Sequence, residues 1–278
     1  MRRARDVLSE NSLVSAADED AFFHQLRLPN GTYKTTAHRR LSALDQWLVA
    51  QLRQREFQML DVAVSSGVTT LDLLDACAAA GFHASVTACD LWVNARIRRI
   101  LPGVELLLDS QGHVLQVSTP AGVKGRPHDP GGSVARRALA GVFVALERFC
   151  RTEGHGSPSS DLPVRLVSRR LRDRAYVEVV EHDLFQRRPD WSAQFDLVRA
   201  ANILNPDYFD DAQIAEVVRS LGTYLRIGGR LLVARTDERN ETAASLFERT
   251  DFGFRLGGRY GQGSVVEAVV LAAHRMGT

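Results

Sequence analysis

The chain has 278 residues, is 45% hydrophobic and 24% charged, and carries a formal net charge of +2. That composition excludes a disordered chain, a collagen-like repeat and a disulfide scaffold, and the near-zero balance offers no broad basic field for nucleic acid. At about 150 residues per domain, the length predicts a little under two domains.

Only Lys34 and Lys124 of the 35 basic residues are lysine. This arginine bias reads as compositional rather than as a demand for guanidinium chemistry. Cys77, Cys89 and Cys150 are odd in number and far apart, which argues against a disulfide framework or a zinc cluster and makes a reducing cytoplasm the expected compartment. Met1-Arg2-Arg3 leads into no apolar core like that of a signal peptide. The longest apolar run, residues 138–146, is far short of the about 20 residues a membrane span needs.

In chain order, residues 1–30 read as a short helical lead-in. Leu41, Leu44, Leu48 and Leu52 recur at helical spacing and predict an amphipathic helix over 38–55. Residues 57–64 read as a buried strand, 69–80 as a helix stopped by Gly81, and 84–89 as a second strand ending at Asp90. Strand, helix, strand predicts a parallel pair with a right-handed crossover. The alternation then breaks. Residues 104–108 and 114–117 flank Asp109-Ser110-Gln111-Gly112-His113, a hairpin signal. Loops at 118–133 and 152–163 surround a helix at 134–150. A helix at 164–172 and strands at 176–180 and 195–200 follow, then a long amphipathic helix at 211–225. The turn Ile227-Gly228-Gly229 leads into a strand at 230–235. A helix at 243–250 and two strands near 254–260 and 265–272 close the chain.

Chemistry concentrates at Met59-Leu60-Asp61-Val62-Ala63-Val64-Ser65-Ser66-Gly67-Val68-Thr69-Thr70, where a strand becomes a helix. Small residues there let the backbone approach a ligand, and a helix N-terminus presents free N–H groups. A dinucleotide fingerprint would need glycine at 63 and 65 and a small residue at 68, so Ala63, Ser65 and Val68 weaken a nicotinamide reading. An acidic residue followed by small ones at 63, 65 and 67 resembles instead motif I of class I S-adenosylmethionine-dependent methyltransferases, with Ala63 and Ser65 replacing the first two glycines. An ordinary tight strand-to-helix turn is the competing reading of this motif alone.

Four further segments follow in that family's order. Asp90 ends the second strand, where a carboxylate can accept hydrogen bonds from both hydroxyls of a ribose. Glu181-His182-Asp183-Leu184-Phe185 is similar to the segment whose Asp binds the adenine amino group. Residues 195–204 look like the fourth strand and the loop beside the methyl donor. Asn202 with Tyr208-Phe209 is similar to that loop in chemotaxis-receptor methyltransferases. Residues 225–233 resemble the turn into the fifth strand. The resemblance covers about residues 57–100 and 164–272.

The resemblance implies an α/β fold: a Rossmann-like, seven-stranded, mostly parallel sheet with an antiparallel last strand, plus a hairpin-and-helix insertion over 92–160. The methyltransferase domain would span 57–278, preceded by a helical segment, 1–56, that covers cofactor or substrate. The implied cofactor is S-adenosyl-L-methionine, held by Asp61, Ala63, Ser65, Ser66, Gly67, Thr69, Asp90, Leu91, Asp183, Leu184, Ala200, Ala201, Asn202 and Tyr33. Tyr208 and Asn202 are the catalytic candidates. The implied activity, in a bacterial cytoplasmic enzyme, is methyl transfer to a small molecule, first at oxygen. Carboxyl or protein methylation is the next choice, and a non-catalytic S-adenosylmethionine- or S-adenosylhomocysteine-binding protein is the alternative of another class.

Asn205-Pro206-Asp207-Tyr208 resembles the Asn-Pro-Pro-Tyr of amino-group methyltransferases, but four residues separate it from the strand, and it reads as a loop. Arg199 and Arg235, near strand ends, are candidates for an acidic substrate. His182 is a candidate base, although a histidine in a turn is usually exposed. Tyr33 and Lys34 are candidates for the cover, with Thr36 as a helix cap in the alternative. The histidines form no cluster with ligand spacing, so no metal is expected. The insertion is expected to govern substrate choice. Its helix leaves a lid, a peripheral membrane contact and a homodimer open.

Overall fold

The computed structural model describes residues 1–10, 12–34, 37–127, 134–152 and 161–273. Its helices are α1 (Ala4–Leu8), α2 (Ala16–Gln25), α3 (Ser42–Gln51), α4 (Val68–Ala79), α5 (Val134–Thr152), α6 (Arg169–Arg172), α7 (Asp211–Tyr224) and α8 (Glu267–Ala272). Its strands are β1 (Glu56–Val62), β2 (His83–Asp90), β3 (Asn94–Leu101), β4 (Val104–Asp109), β5 (Val114–Thr119), β6 (Gly122–Gly125), β7 (Leu162–Arg165), β8 (Val177–Glu181), β9 (Phe195–Ala201), β10 (Leu225–Thr236), β11 (Thr242–Thr250) and β12 (Gly253–Tyr260). The chain divides into two compact units, one of Met1–Ala37 with Trp92–Arg169, the other of His38–Leu91 with Arg170–Thr278. The 1–56 segment is thus shared between them, and α3 belongs to the second.

The second unit is a seven-stranded sheet in the order β12-β11-β10-β9-β1-β2-β8. Its five central and far-edge strands pair in parallel, and antiparallel pairing is confined to β11 and its two neighbours. This is the expected Rossmann-like α/β class. Leu60, Val62, Val198 and Ala200 point into one core, where α7 lays down Ile214, Val217, Val218 and Leu221. That spacing is one face of a helix. α7 begins with a capping box, in which the Asp210 side chain accepts from the Gln213 N–H and the Gln213 side chain accepts from the Asp210 N–H.

Three local expectations are corrected. Residues 243–250, read as a helix, form β11, which pairs along seven positions with β10 and also with β12. The ladder's hydrogen bonds outweigh the few tenths of a kcal/mol per residue by which alanine favours a helix. Residues 265–272, read as a strand from their valines, contribute α8, with Val266, Val270 and Ala273 buried at helical spacing in the same core. Residues 164–172, read as one helix, split into the end of β7 and the single turn α6.

The first unit holds a five-stranded antiparallel sheet in the order β6-β5-β4-β3-β7. Leu107, Leu115 and Ile97 face one core with α1 and α2 residues, including Phe22 and Phe23. Leu106, Leu108 and Val114 face another with Phe143 and Cys150 of α5. This period-two alternation buries both faces. The predicted hairpin is β4–β5, its turn held by Asp109, which accepts from the N–H groups of Gln111 and His113. β3 and β6 were not anticipated. The proposed cap Thr36 and parts of both predicted loops, 128–133 and 153–160, lie outside the described residues.

Candidate functional site

Val62, Cys89 and Ala200 lie level in the parallel register, and Asp90 pairs with Glu181, so the carboxyl ends of β9, β1, β2 and β8 form one edge. This is the edge where open α/β sheets bind ligands. The turn after β1 has an unusual backbone. Ala63, Ser65 and Gly67 have φ of 56°, 58° and 82°, in the left-handed region. Glycine adopts that region freely, whereas a residue with a Cβ pays for the crowding with about 1–2 kcal/mol. Gly67 is also the N-cap of α4.

Neighbouring strands hold the turn. The Ser65 N–H donates to the Asp90 carboxylate at 2.8 Å. The Val64 N–H donates to the Cys89 carbonyl, and the His182 N–H to the Asp90 carbonyl at 2.9 Å. The structure therefore brings Ala63, Ser65, Ser66, Gly67 and Asp90 together, and links them through His182 to the loop after β8. There the Asp183 side chain accepts from the Phe185 N–H. Leu184 packs against the core, and Leu91 is 38% exposed. Thr69 is buried in the first turn of α4.

Beyond β9, Ala200 is buried and Ala201 half-buried. Asn202 has a φ of 61°. Its N–H donates to the Ala234 carbonyl and its side-chain oxygen accepts from the Thr236 N–H at 2.7 Å, which fixes it to the end of β10. Asn205-Pro206-Asp207-Tyr208 is a tight turn in which the Tyr208 N–H donates to the Asn205 carbonyl. Tyr208 is 57% exposed. Tyr33 belongs to the other unit, where it is 41% exposed and bridges Arg27.

Two assignments change on burial. Arg199 does not face a substrate. It is fully buried, with Nη1 2.9 Å from Asp61 Oδ2 and Nη2 3.6 Å from Asp45 Oδ1. Asp61, the register partner of Arg199 on the same face of the sheet, also accepts from the Thr70 hydroxyl at 2.8 Å. Burial pushes the Asp45 carboxyl up to about 6, against the opposing pull of Arg199. Neither Asp45 oxygen has a hydrogen-bond partner among the described residues. His182 is buried edge-on to Trp191 rather than exposed in a turn, and burial, with Arg188 adding to it, lowers its pKa. Arg235 is ion-paired with Asp207 at 2.6 Å.

The buried charge cluster escaped sequence reasoning, although Asp45 stands within the apolar stripe of Leu41, Leu44 and Leu48. An acid in such a stripe needs a buried partner. Two clefts, of about 280 and 430 Å³, open at the opposite edge of the sheet around Phe57, Asp196 and Arg226. Their arginines are engaged: Arg226 pairs with Asp196 at 2.9 Å, Arg53 with Glu248 at 3.6 Å, and Arg230 donates to the Gln51 carbonyl that ends α3.

No family model and no curated protein matches the chain. Solved structures match at low identity. A Pyrococcus horikoshii protein is 13% identical over 85% of this chain and 79% of its own, with a TM-score of 0.37. Phosphoethanolamine N-methyltransferase 1 of Haemonchus contortus, solved with phosphoethanolamine and S-adenosylhomocysteine, is 11% identical over 72% of this chain and 27% of its own, with a TM-score of 0.35. An O-methyltransferase family protein of Burkholderia thailandensis is 16% identical over 71% and 38%, with a TM-score of 0.33. The chain spans 55%, 37% and 34% of the length of three further matched structures. No helix among the described residues is long and apolar enough to cross a membrane.

Proposed function

We propose that the chain is a class I S-adenosylmethionine-dependent methyltransferase acting on a small molecule, with oxygen as the acceptor atom. The observation that carries this reading is the 63–67 turn, where Ala63 and Ser65 adopt the backbone that the motif's glycines would adopt. Strained backbone of this kind persists only where its surroundings over-determine it, and such sites cluster at ligand clamps.

The residues present fit the cofactor. The first turn of α4 has N–H groups without helical partners. Asp90 accepts the Ser65 N–H at the end of β2, the strand end where a carboxylate would receive ribose hydroxyls. Asp183 stands one strand further along the same edge and would receive the adenine amino group.

When bound, S-adenosylmethionine supplies an electrophilic methyl group. The chain's own residues then exclude water, align the acceptor and take up its proton. Asn202, locked to β10, borders the acceptor, and Tyr208 presents its exposed ring and hydroxyl to orient it. Three free, buried cysteines support a reducing bacterial cytoplasm as the setting.

Calorimetric titration of the purified protein with S-adenosylmethionine, S-adenosylhomocysteine and NADH tests the reading. Binding of the first two is expected, and binding of NADH alone overturns it. A labelled-methyl screen against a cell lysate then separates an enzyme from a protein that binds the cofactor without transfer.

A further inference from the structure

We propose that Asp61, Thr70 and Arg199 form a positioning device that holds the 63–67 turn in its left-handed conformation, with Asp61 acting from beneath the turn rather than as a ligand of the cofactor. The inference rests on the methyltransferase reading only for its effect on affinity. Its claim about the turn stands on geometry alone.

Asp61 is the last residue but one of β1, and Thr70 is the third residue of α4. The hydrogen bond from the Thr70 hydroxyl to Asp61 Oδ2, at 2.8 Å, therefore spans the whole turn and ties strand to helix. Asp61 sits opposite Arg199 in the β1–β9 register, and Arg199 Nη1 reaches the same oxygen at 2.9 Å. All three side chains are buried. Water cannot replace either bond, and both are charge-assisted, about twice the strength of neutral ones.

The turn needs such a tie. Its left-handed residues at 63 and 65 carry side chains, so an unrestrained chain would relax towards an ordinary loop. Ser65 is already tied to Asp90 on the ligand-facing edge. The Asp61–Thr70 bond does not involve that carboxylate and ties the two ends of the turn independently of it.

The test is Thr70→Val, which keeps the shape and removes the hydroxyl, beside Thr70→Ser, which keeps the hydroxyl. In the full-length protein, hydrogen exchange at the amides of Ser65, Ser66 and Gly67 should accelerate at least tenfold in the valine variant. The amides late in α4 should stay as in the wild type. S-adenosylhomocysteine affinity should fall about tenfold, the factor that corresponds to roughly 1.4 kcal/mol. The serine variant should restore both to within about threefold. If the wild type binds S-adenosylhomocysteine and the valine variant matches it in affinity and in turn exchange, the positioning role is wrong and the reading of the site stands. If the wild type binds none, the reading of the site fails, and turn exchange alone decides the positioning role. Equal loss of protection throughout α4 would also overturn the role, because it marks general destabilisation.

Discussion

Asp45 offers the sharpest test of the buried cluster. Replacing it with asparagine keeps its size and removes its charge. In the folded protein the carboxyl titrates at about 6, against an ordinary value of 3.8, because burial outweighs the attraction of Arg199, while Asp61 and Asp72 add repulsion. The folded state therefore binds this proton more tightly than the unfolded chain. Asp45 is harmless below pH 3.8, and its penalty grows as the pH rises through 6. Two pKa units are worth about 3 kcal/mol. At pH 7.5 the asparagine variant should thus be more stable than the wild type by about 2–3 kcal/mol, and at pH 4 the two should be nearly equal. For a chain of this size that corresponds to about 4–10 °C in the melting temperature of the transition that unfolds this unit. Calorimetric melts at half-unit intervals from pH 4 to 8 would follow the difference. A difference that does not vary with pH, or a variant less stable at pH 7.5 than at pH 4 relative to wild type, would refute a buried carboxyl held near neutrality.

Three further outcomes are expected. Arg199→Met should cost about 3–5 kcal/mol in urea unfolding, because it leaves Asp61 and Asp45 buried without their cation; a loss below about 1 kcal/mol would show that the carboxylates find water. Ala63→Gly should raise stability by up to about 1 kcal/mol, and Gly67→Ala should lower it by about 1–2 kcal/mol, since φ is positive at both; opposite signs would contradict the backbone geometry. Tyr208→Phe should leave S-adenosylhomocysteine affinity unchanged and lower kcat by at least about tenfold once an acceptor is known; an unchanged kcat would remove Tyr208 from the site.

Much of the candidate site was legible because it is local. The small residues at 63, 65 and 67, the strand before them and the helix after them lie within one short stretch, and Asp90 follows at the end of the next strand. The left-handed backbone at Ala63 and Ser65 was not legible, since neither residue favours it; the ties to Asp90 and across to Thr70 impose it. The place of Asp61 in the motif was legible, but its buried partner Arg199, opposite it in the β1–β9 register, was not.

Local pattern by itself determined β1, α4, β2, the β4–β5 hairpin and α7, because each is marked by an apolar run, a helical spacing or a turn signal within its own stretch of sequence. Tertiary structure decided what neighbours could not. The alanine-rich 242–250 segment became a strand because β10 and β12 offered it ladders on both sides, and the valines of 266–270 became helical because a core was waiting at that spacing. It also joined Met1–Ala37 to Trp92–Arg169 in one unit and gathered Asp45, Asp61 and Arg199 into one buried cluster. Those partners lie tens to more than a hundred residues apart, where only the closing of the sheet and its helices brings their charges within reach.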